Sequence, residues 1–261
     1  MKKFARIALK AGLAAVFWVG IWYLLAHRIG SDFLFPAPLT VWQTLCELVR
    51  EKSFWLTTCM SVLRVVWGIL ESLILGTALA CLTSVSRILN TLLTPALSAI
   101  KATPVASFII LALLWLDRDI LPVFITTLIV IPIVWANVSE GIRNVDRNLI
   151  EVTALYRFSM WKKLHRLYIP SVAPYFMAAC RSSLGMAWKA GIAAEILATP
   201  NDSIGKELYF SKTYLETPTL FAWTLVVILL SLVIEKLFVY GLEQIGRRLR
   251  ILPKGEIHAE N

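Results

Sequence analysis

Six apolar runs recur along the chain, separated by polar intervals. The first follows Lys2, Lys3, Arg6 and Lys10 and ends near Ala26. The others lie at about Leu56–Leu82, Pro95–Leu116, Ile120–Val138, Val172–Ala198 and Leu220–Tyr240. Each approaches the roughly 20 apolar residues that a helix needs to cross a bilayer. The pattern therefore predicts an all-α, polytopic membrane protein with six transmembrane helices. The first run starts as a secretory signal does, but it exceeds an h-region of roughly 7–15 residues. It also carries Trp18 and Trp22 and has no A-x-A site, so it reads as a retained span. Phe33–Lys52 reads as an amphipathic helix introduced by Pro36 and Pro38, and the polar stretch Thr199–Pro218 holds one short surface helix.

The longest polar interval, between the fourth and fifth runs, has its own pattern. Asn148 can cap a helix, with Glu151 three residues on reaching back to the cap N–H. Val152, Leu155 and Tyr156 follow at i, i+3, i+4, the spacing of one helical face. Phe158-Ser159 interrupts the pattern, and Ser159 can cap a second short helix. That helix carries Trp161, Leu164 and Tyr168 on one side and Lys162, Lys163 and Arg166 largely on the other. Ile169-Pro170 is expected to stop it, because proline lacks the N–H and restricts the residue before it. Helix, turn, helix between two spans makes an amphipathic elbow.

Composition strengthens the membrane reading. Of the 261 residues 58% are hydrophobic and 16% charged, whereas a soluble domain carries roughly a quarter charged; the mean hydropathy is +0.70. Outside the runs, fifteen Lys and Arg fall on one side and six on the other if the N-terminus is cytoplasmic. The positive-inside rule then puts both termini and the elbow in the cytoplasm. A net charge of +9 fits cytoplasmic loops and anionic membrane lipid better than nucleic acid. Four scattered cysteines, Cys46, Cys59, Cys81 and Cys180, have neither metal nor disulfide spacing.

The motifs of hydrolases, zinc enzymes and redox proteins are missing, and the three histidines are far apart in sequence. Pro200–Glu207 imitates a phosphate loop but lacks its first glycine and its Ser/Thr. The chain is thus expected to be no enzyme and to hold no cofactor or metal. Energy for transport must come from a partner or an ion gradient. Ionisable residues inside spans are costly and usually face a cavity or a partner. Arg64 and Glu71 share a helical face and can pair with each other or across spans. Arg181, Lys189 and Glu195 sit in the fifth run and can line a route, and Lys189 is the leading candidate for a residue on a path for an anionic solute.

The elbow resembles the EAA loop of binding-protein-dependent ABC transporter permeases, with pattern E-A-A, three residues, Gly, nine residues, I-x-L-P. Glu151 takes the Glu position, Val152 and Thr153 the two alanines, and Leu167–Pro170 the closing I-x-L-P. Arg157 stands where the family usually has Gly. Glycine there would permit a left-handed helix end, while Arg157 can close the helix favourably through the dipole. FPAPLTVWQTLCELV, SVLRVVWG, TPVASFIILALLWL and the long block Ala187–Trp223 are similar to nitrate/sulfonate/taurine-type permeases, over most of residues 33–250. The resemblance implies a type I ABC importer permease-like fold in the bacterial cytoplasmic (inner) membrane. It implies residues 1–55 as an N-terminal span with a pre-core segment, and 56–245 as a five-helix core whose coupling loop is 143–170. Residues 246–261 would form a cytoplasmic tail. Implied partners are an ABC ATP-binding subunit that binds the ATP, a second permease copy and an extracytoplasmic solute-binding protein. Glu151, Val152, Leu155, Tyr156, Arg157, Trp161 and Pro170 would meet the ATPase. A stand-alone secondary transporter or channel is the alternative; the elbow and the lack of an inverted repeat in the hydropathy weigh against it.

Overall fold

The structure, a computed structural model, describes the backbone of residues 2–248 and the side chains of 12–242 and 244. The side chains of Lys2, Lys3, Arg6, Lys10, Arg247 and Arg248, and the tail from residue 249 with Arg250 and Lys254, lie outside the described residues. Among the described residues there are helices and no strands. In order they are α1 (Lys2–Ile29), α2 (Pro38–Leu48), α3 (Lys52–Val85), α4 (Arg87–Ala102), α5 (Val105–Ala112) and α6 (Leu121–Arg143). Then come α7 (Arg147–Leu155), α8 (Met160–Lys163), a π-helical turn (Leu164–Tyr168), α9 (Ile169–Ala198), α10 (Ile204–Thr213) and α11 (Thr217–Arg248).

A helix lies in every predicted run. α1, α3, α6 and α11 are long and apolar enough to cross a membrane. The third run is not the single rod expected: α4 and α5 meet at an angle of 104°. Pro104 stands at the break, where it drives Thr103 out of helical geometry (ψ 134°). α9, with 30 residues, spans roughly 45 Å at 1.5 Å per residue. It carries Arg181, Lys189 and Glu195 along its length.

The described residues form two compact units, those up to 61 with 199–229 and 62–198 with those from 230 onward. In the first, aromatic side chains tie the N-terminal segment to the start of α11. Phe54 stacks on Trp223 with centroids 5.0 Å apart, Phe221 meets Phe35 at 5.4 Å, and the Trp22 indole N–H donates to the Pro36 carbonyl at 3.0 Å. The Ser61 hydroxyl accepts the N–H of Ile204 at 2.9 Å, fixing the start of α10.

The second unit is organised by α6 and α9, which pack extensively along each other. Ile109, Leu121, Ile125, Ile129, Ala190 and Ala194 belong to its core. α3 joins α6 through small residues at four-residue intervals: Gly68, Ser72, Gly76 and Ala80, all buried. Without a hydrophobic drive between helices in lipid, close backbone approach of this kind supplies the packing. A Cβ on Gly76 would lie 2.7 Å from the Cβ of Val134, and one on Gly68 2.8 Å from that of Thr126. The two contacts are two helical turns apart on both helices, so glycine sets the α3–α6 spacing.

Candidate functional site

The elbow is built by local capping. The first helix begins two residues' worth of hydrogen bonding earlier than expected, because Asp146 and not Asn148 is the cap: its Oδ1 accepts the Asn148 N–H at 2.8 Å. A carboxylate at the positive helix end is favoured over an amide, and Val145 before it is buried. Glu151 therefore falls past the capping-box position and stands exposed on the second turn.

The far end of α7 closes in a Schellman arrangement. Phe158 N–H reaches the Thr153 carbonyl at 2.9 Å and Arg157 N–H the Ala154 carbonyl at 3.0 Å. Arg157 itself is left-handed, at φ +48°. The position that usually holds glycine thus keeps the glycine geometry while carrying an arginine.

Ser159 caps α8 as expected, accepting the Lys162 N–H at 3.4 Å. Pro170 does not end this helix. α8, the π turn and α9 form one continuous helical rod of 39 residues. Pro170 has no N–H for the carbonyl four residues back and its ring crowds that carbonyl; the wider π turn just before it relieves the crowding, with Ile169 N–H bonding to Leu164 O. The elbow's second half is accordingly the end of α9.

The apolar stripe of α7 faces outward: Val152 is 46% exposed, Leu155 80% and Tyr156 70%. Trp161, 71% exposed, lies against His165 with ring centroids 5.2 Å apart and planes tilted by 32°. Leu167, the first position of the I-x-L-P match, is the elbow's buried anchor at 5% exposure.

A second cluster lies inside the spans. Arg64 Nη1 is 3.4 Å from Glu195 Oε1, and Nη2 is 3.7 Å from Asp119 Oδ1. Glu195 has no accessible surface, Arg64 is nearly buried and Asp119 is half-exposed. Of the open pairings for Arg64 the one across spans is realised. Glu71 instead accepts a hydrogen bond from Thr127 Oγ1 at 3.3 Å. The low-dielectric site makes the ion pair strong and its disruption costly. Asp119 was legible only as part of a polar tip, since nothing in sequence connects residues 64 and 119.

Lys189 stands apart from Glu195 on another face of α9. It is exposed and makes no hydrogen bond or ion pair with a described residue. Its neighbour Trp188 is buried at 3% and packs. The Pro200–Glu207 segment that imitates a phosphate loop is the start of α10, with Ser203 as its buried cap accepting the Lys206 N–H at 3.2 Å. Among the described residues no group of His, Cys, Asp or Glu is arranged to hold a metal.

Solved structures share this architecture. A bacterial alginate ABC transporter, in complex with alginate pentasaccharide-bound periplasmic protein, contains a chain that matches 95% of this one and 97% of its own length, with TM-score 0.56 and 14% identity. An amino acid ABC transporter with histidines matches 74% of this chain and 90% of its own, with TM-score 0.54 and 16% identity. At such identities the likeness is one of fold, the type I importer permease fold. Sequence relatives include an aliphatic sulfonates transport permease protein, SsuC, of Bacillus subtilis, 25% identical over 206 residues, which are 78% of this chain and 74% of that protein. The bicarbonate transport system permease protein CmpB of Synechococcus elongatus is 29% identical over 59% of this chain and 56% of its own. The formylaminopyrimidine transport permease protein ThiX of Halalkalibacterium halodurans is 25% identical over 86% of this chain and 90% of its own. The family of binding-protein-dependent transport system inner membrane components matches residues 72–250, more than half of the chain. With that extent of match and this fold, the chain belongs to the binding-protein-dependent transport system inner membrane components, the permease subunits of ABC importers.

Proposed function

We propose that this permease lines the path of a small anionic solute and takes its energy from a separate ATP-binding subunit that grips α7. The observation that carries the reading is the outward apolar face of α7, Val152, Leu155 and Tyr156, with Glu151 beside it and Arg157 and Trp161 at its edge. An apolar stripe on an exposed helix fits a groove on a partner. Pro170 and the π turn make α8 continuous with α9, so displacement of the elbow moves a helix that carries Lys189 and, at its far end, Glu195. Arg64, Glu71, Lys189 and Glu195 are the charged residues of the path and its packing. Lys189 supports an anionic solute, because an exposed cation in a span is costly against lipid and suits a hydrated route.

In the assembly, two permease copies, two ATP-binding subunits and an extracytoplasmic binding protein work together, ATP being bound by the partner. The Lys/Arg asymmetry supports an elbow and termini in the cytoplasm. Co-expression with the ATP-binding subunit tests the reading. Tyr156→Asp should abolish co-purification of that subunit while the permease still inserts and folds. Retention of the subunit at the parental level in both Leu155→Asp and Tyr156→Asp would contradict it.

A further inference from the structure

Where α9 leaves the elbow, the second unit holds an apolar groove of about 780 Å³. Its walls come from the ends of α3 and α6, the beginning of α9 and Leu242 of α11. Thr77 to Val85 on α3 and Ile169 to Met177 on α9 each run along it, a depth of about 12 Å at the rise of a helix. Cys81, Phe176 and Met177 are among its lining residues. The lining holds one charged residue, Lys163, at the elbow end beside Trp161 and Tyr168.

We propose that this groove binds an anionic phospholipid, with an acyl chain between α3 and α9 and the headgroup phosphate against the basic elbow. Three observations commit it to that occupant. The groove is apolar along its length, as an acyl chain requires, and its walls are the ends of α3 and α6 and the start of α9, where these runs leave the bilayer on the six-span reading. Trp161 and Tyr168 at its mouth are the residue types enriched at the membrane–water interface. Charge completes the match: between Arg157 and Tyr168 the chain has Arg157, Lys162, Lys163 and Arg166 and no acidic residue. Clusters of this kind beside a span draw anionic headgroups. The π turn runs through the same mouth, with Leu164 and Tyr168 both lining the groove; π segments are frequent at functional sites. The docking face of α7 meets the groove mouth only at its edge, through Trp161, since Val152, Leu155 and Tyr156 do not line the groove.

Cys81 reports on occupancy. The test uses the full permease with its ATP-binding subunit in detergent, and follows alkylation of Cys81 by N-ethylmaleimide in peptide-resolved mass spectrometry. Phosphatidylglycerol or phosphatidylcholine with the same acyl chains is added at equal concentration. Phosphatidylglycerol should slow alkylation at least about five-fold more than phosphatidylcholine, and combining Lys162→Gln, Lys163→Gln and Arg166→Gln should erase that difference. Equal protection by the two lipids, or a difference that survives the triple variant, would overturn the proposal. So would a Cys81 that is unreactive in the delipidated complex, which would assign the groove to a second permease copy or to the ATP-binding subunit. Loss of co-purification is a separate readout, so failure of the docking reading is distinguishable from failure of lipid binding.

Discussion

Arg64 on α3 holds Glu195 on α9 at 3.4 Å across 131 positions of sequence. Glu195 has no accessible surface, and removing its cation leaves a carboxylate without that partner inside a span. Breaking a buried pair on one side costs about 3–5 kcal/mol, whereas replacing both members by apolar groups is often close to neutral. Arg64→Met should therefore lower the melting temperature of the purified permease strongly, and Arg64→Met combined with Glu195→Leu should recover more than half of the loss. A double variant as unstable as the single one would mean that the pair contributes more than it costs to bury.

Arg157 offers a stabilising change. A left-handed conformation costs a residue with a Cβ roughly 1–2 kcal/mol relative to glycine, and φ is +48° there. Arg157→Gly should raise the melting temperature by a few degrees, and Arg157→Val should lower it, with both differences measured at fixed detergent and salt. A drop with glycine would show that the guanidinium contributes more than the backbone loses.

Glu207, on the surface helix α10, titrates above its ordinary value of 4.5 because burial opposes its ionisation, more than the adjacent Lys206 favours it. The folded state then binds its proton more tightly than the unfolded state. The stability this gives is present below the unfolded value and lost as pH rises through the folded one. Glu207→Gln should accordingly melt higher than the parent at neutral pH, and the gap should close in acid below 4.5. A gap that widens in acid would reverse the assignment.

Topology is open to labelling. In a background without the four native cysteines, Lys212→Cys on the last turn of α10 should react with an impermeant maleimide added outside intact cells. Lys162→Cys in the elbow should react only after permeabilisation. The opposite pattern would invert the orientation.

Much of this was legible where the signal is local. Apolar length placed the helices; a Ser before an amphipathic stretch placed the start of α8; the missing glycine at Arg157 pointed to the residue that is left-handed. The misses come from competition and from distance. Asp146 outcompetes Asn148 as a cap because a carboxylate interacts with the helix dipole and an amide does so more weakly. Pro170 looked like a stop, but a π turn accommodates it, and only the following span reveals that the helix continues. Pro104 bends the third run, whereas Pro132 inside α6 does not interrupt that helix. The partners of Arg64 lie 55 and 131 positions away, on elements whose approach is set by glycine contacts such as Gly191 against Val65, where a Cβ would come within 2.6 Å. No single-sequence pattern carries that.

The central claim is that α7 transmits ATP-driven motion into α9. Its most direct measurement is solute-stimulated ATP hydrolysis by the reconstituted complex with its binding protein, compared with the ATP-binding subunit alone. The parent should be stimulated by solute-loaded binding protein. A Leu155→Asp and Tyr156→Asp pair should leave the subunit's own hydrolysis unchanged and remove the stimulation. Full stimulation in that pair would contradict the account and return α7 to an ordinary exposed helix between two spans.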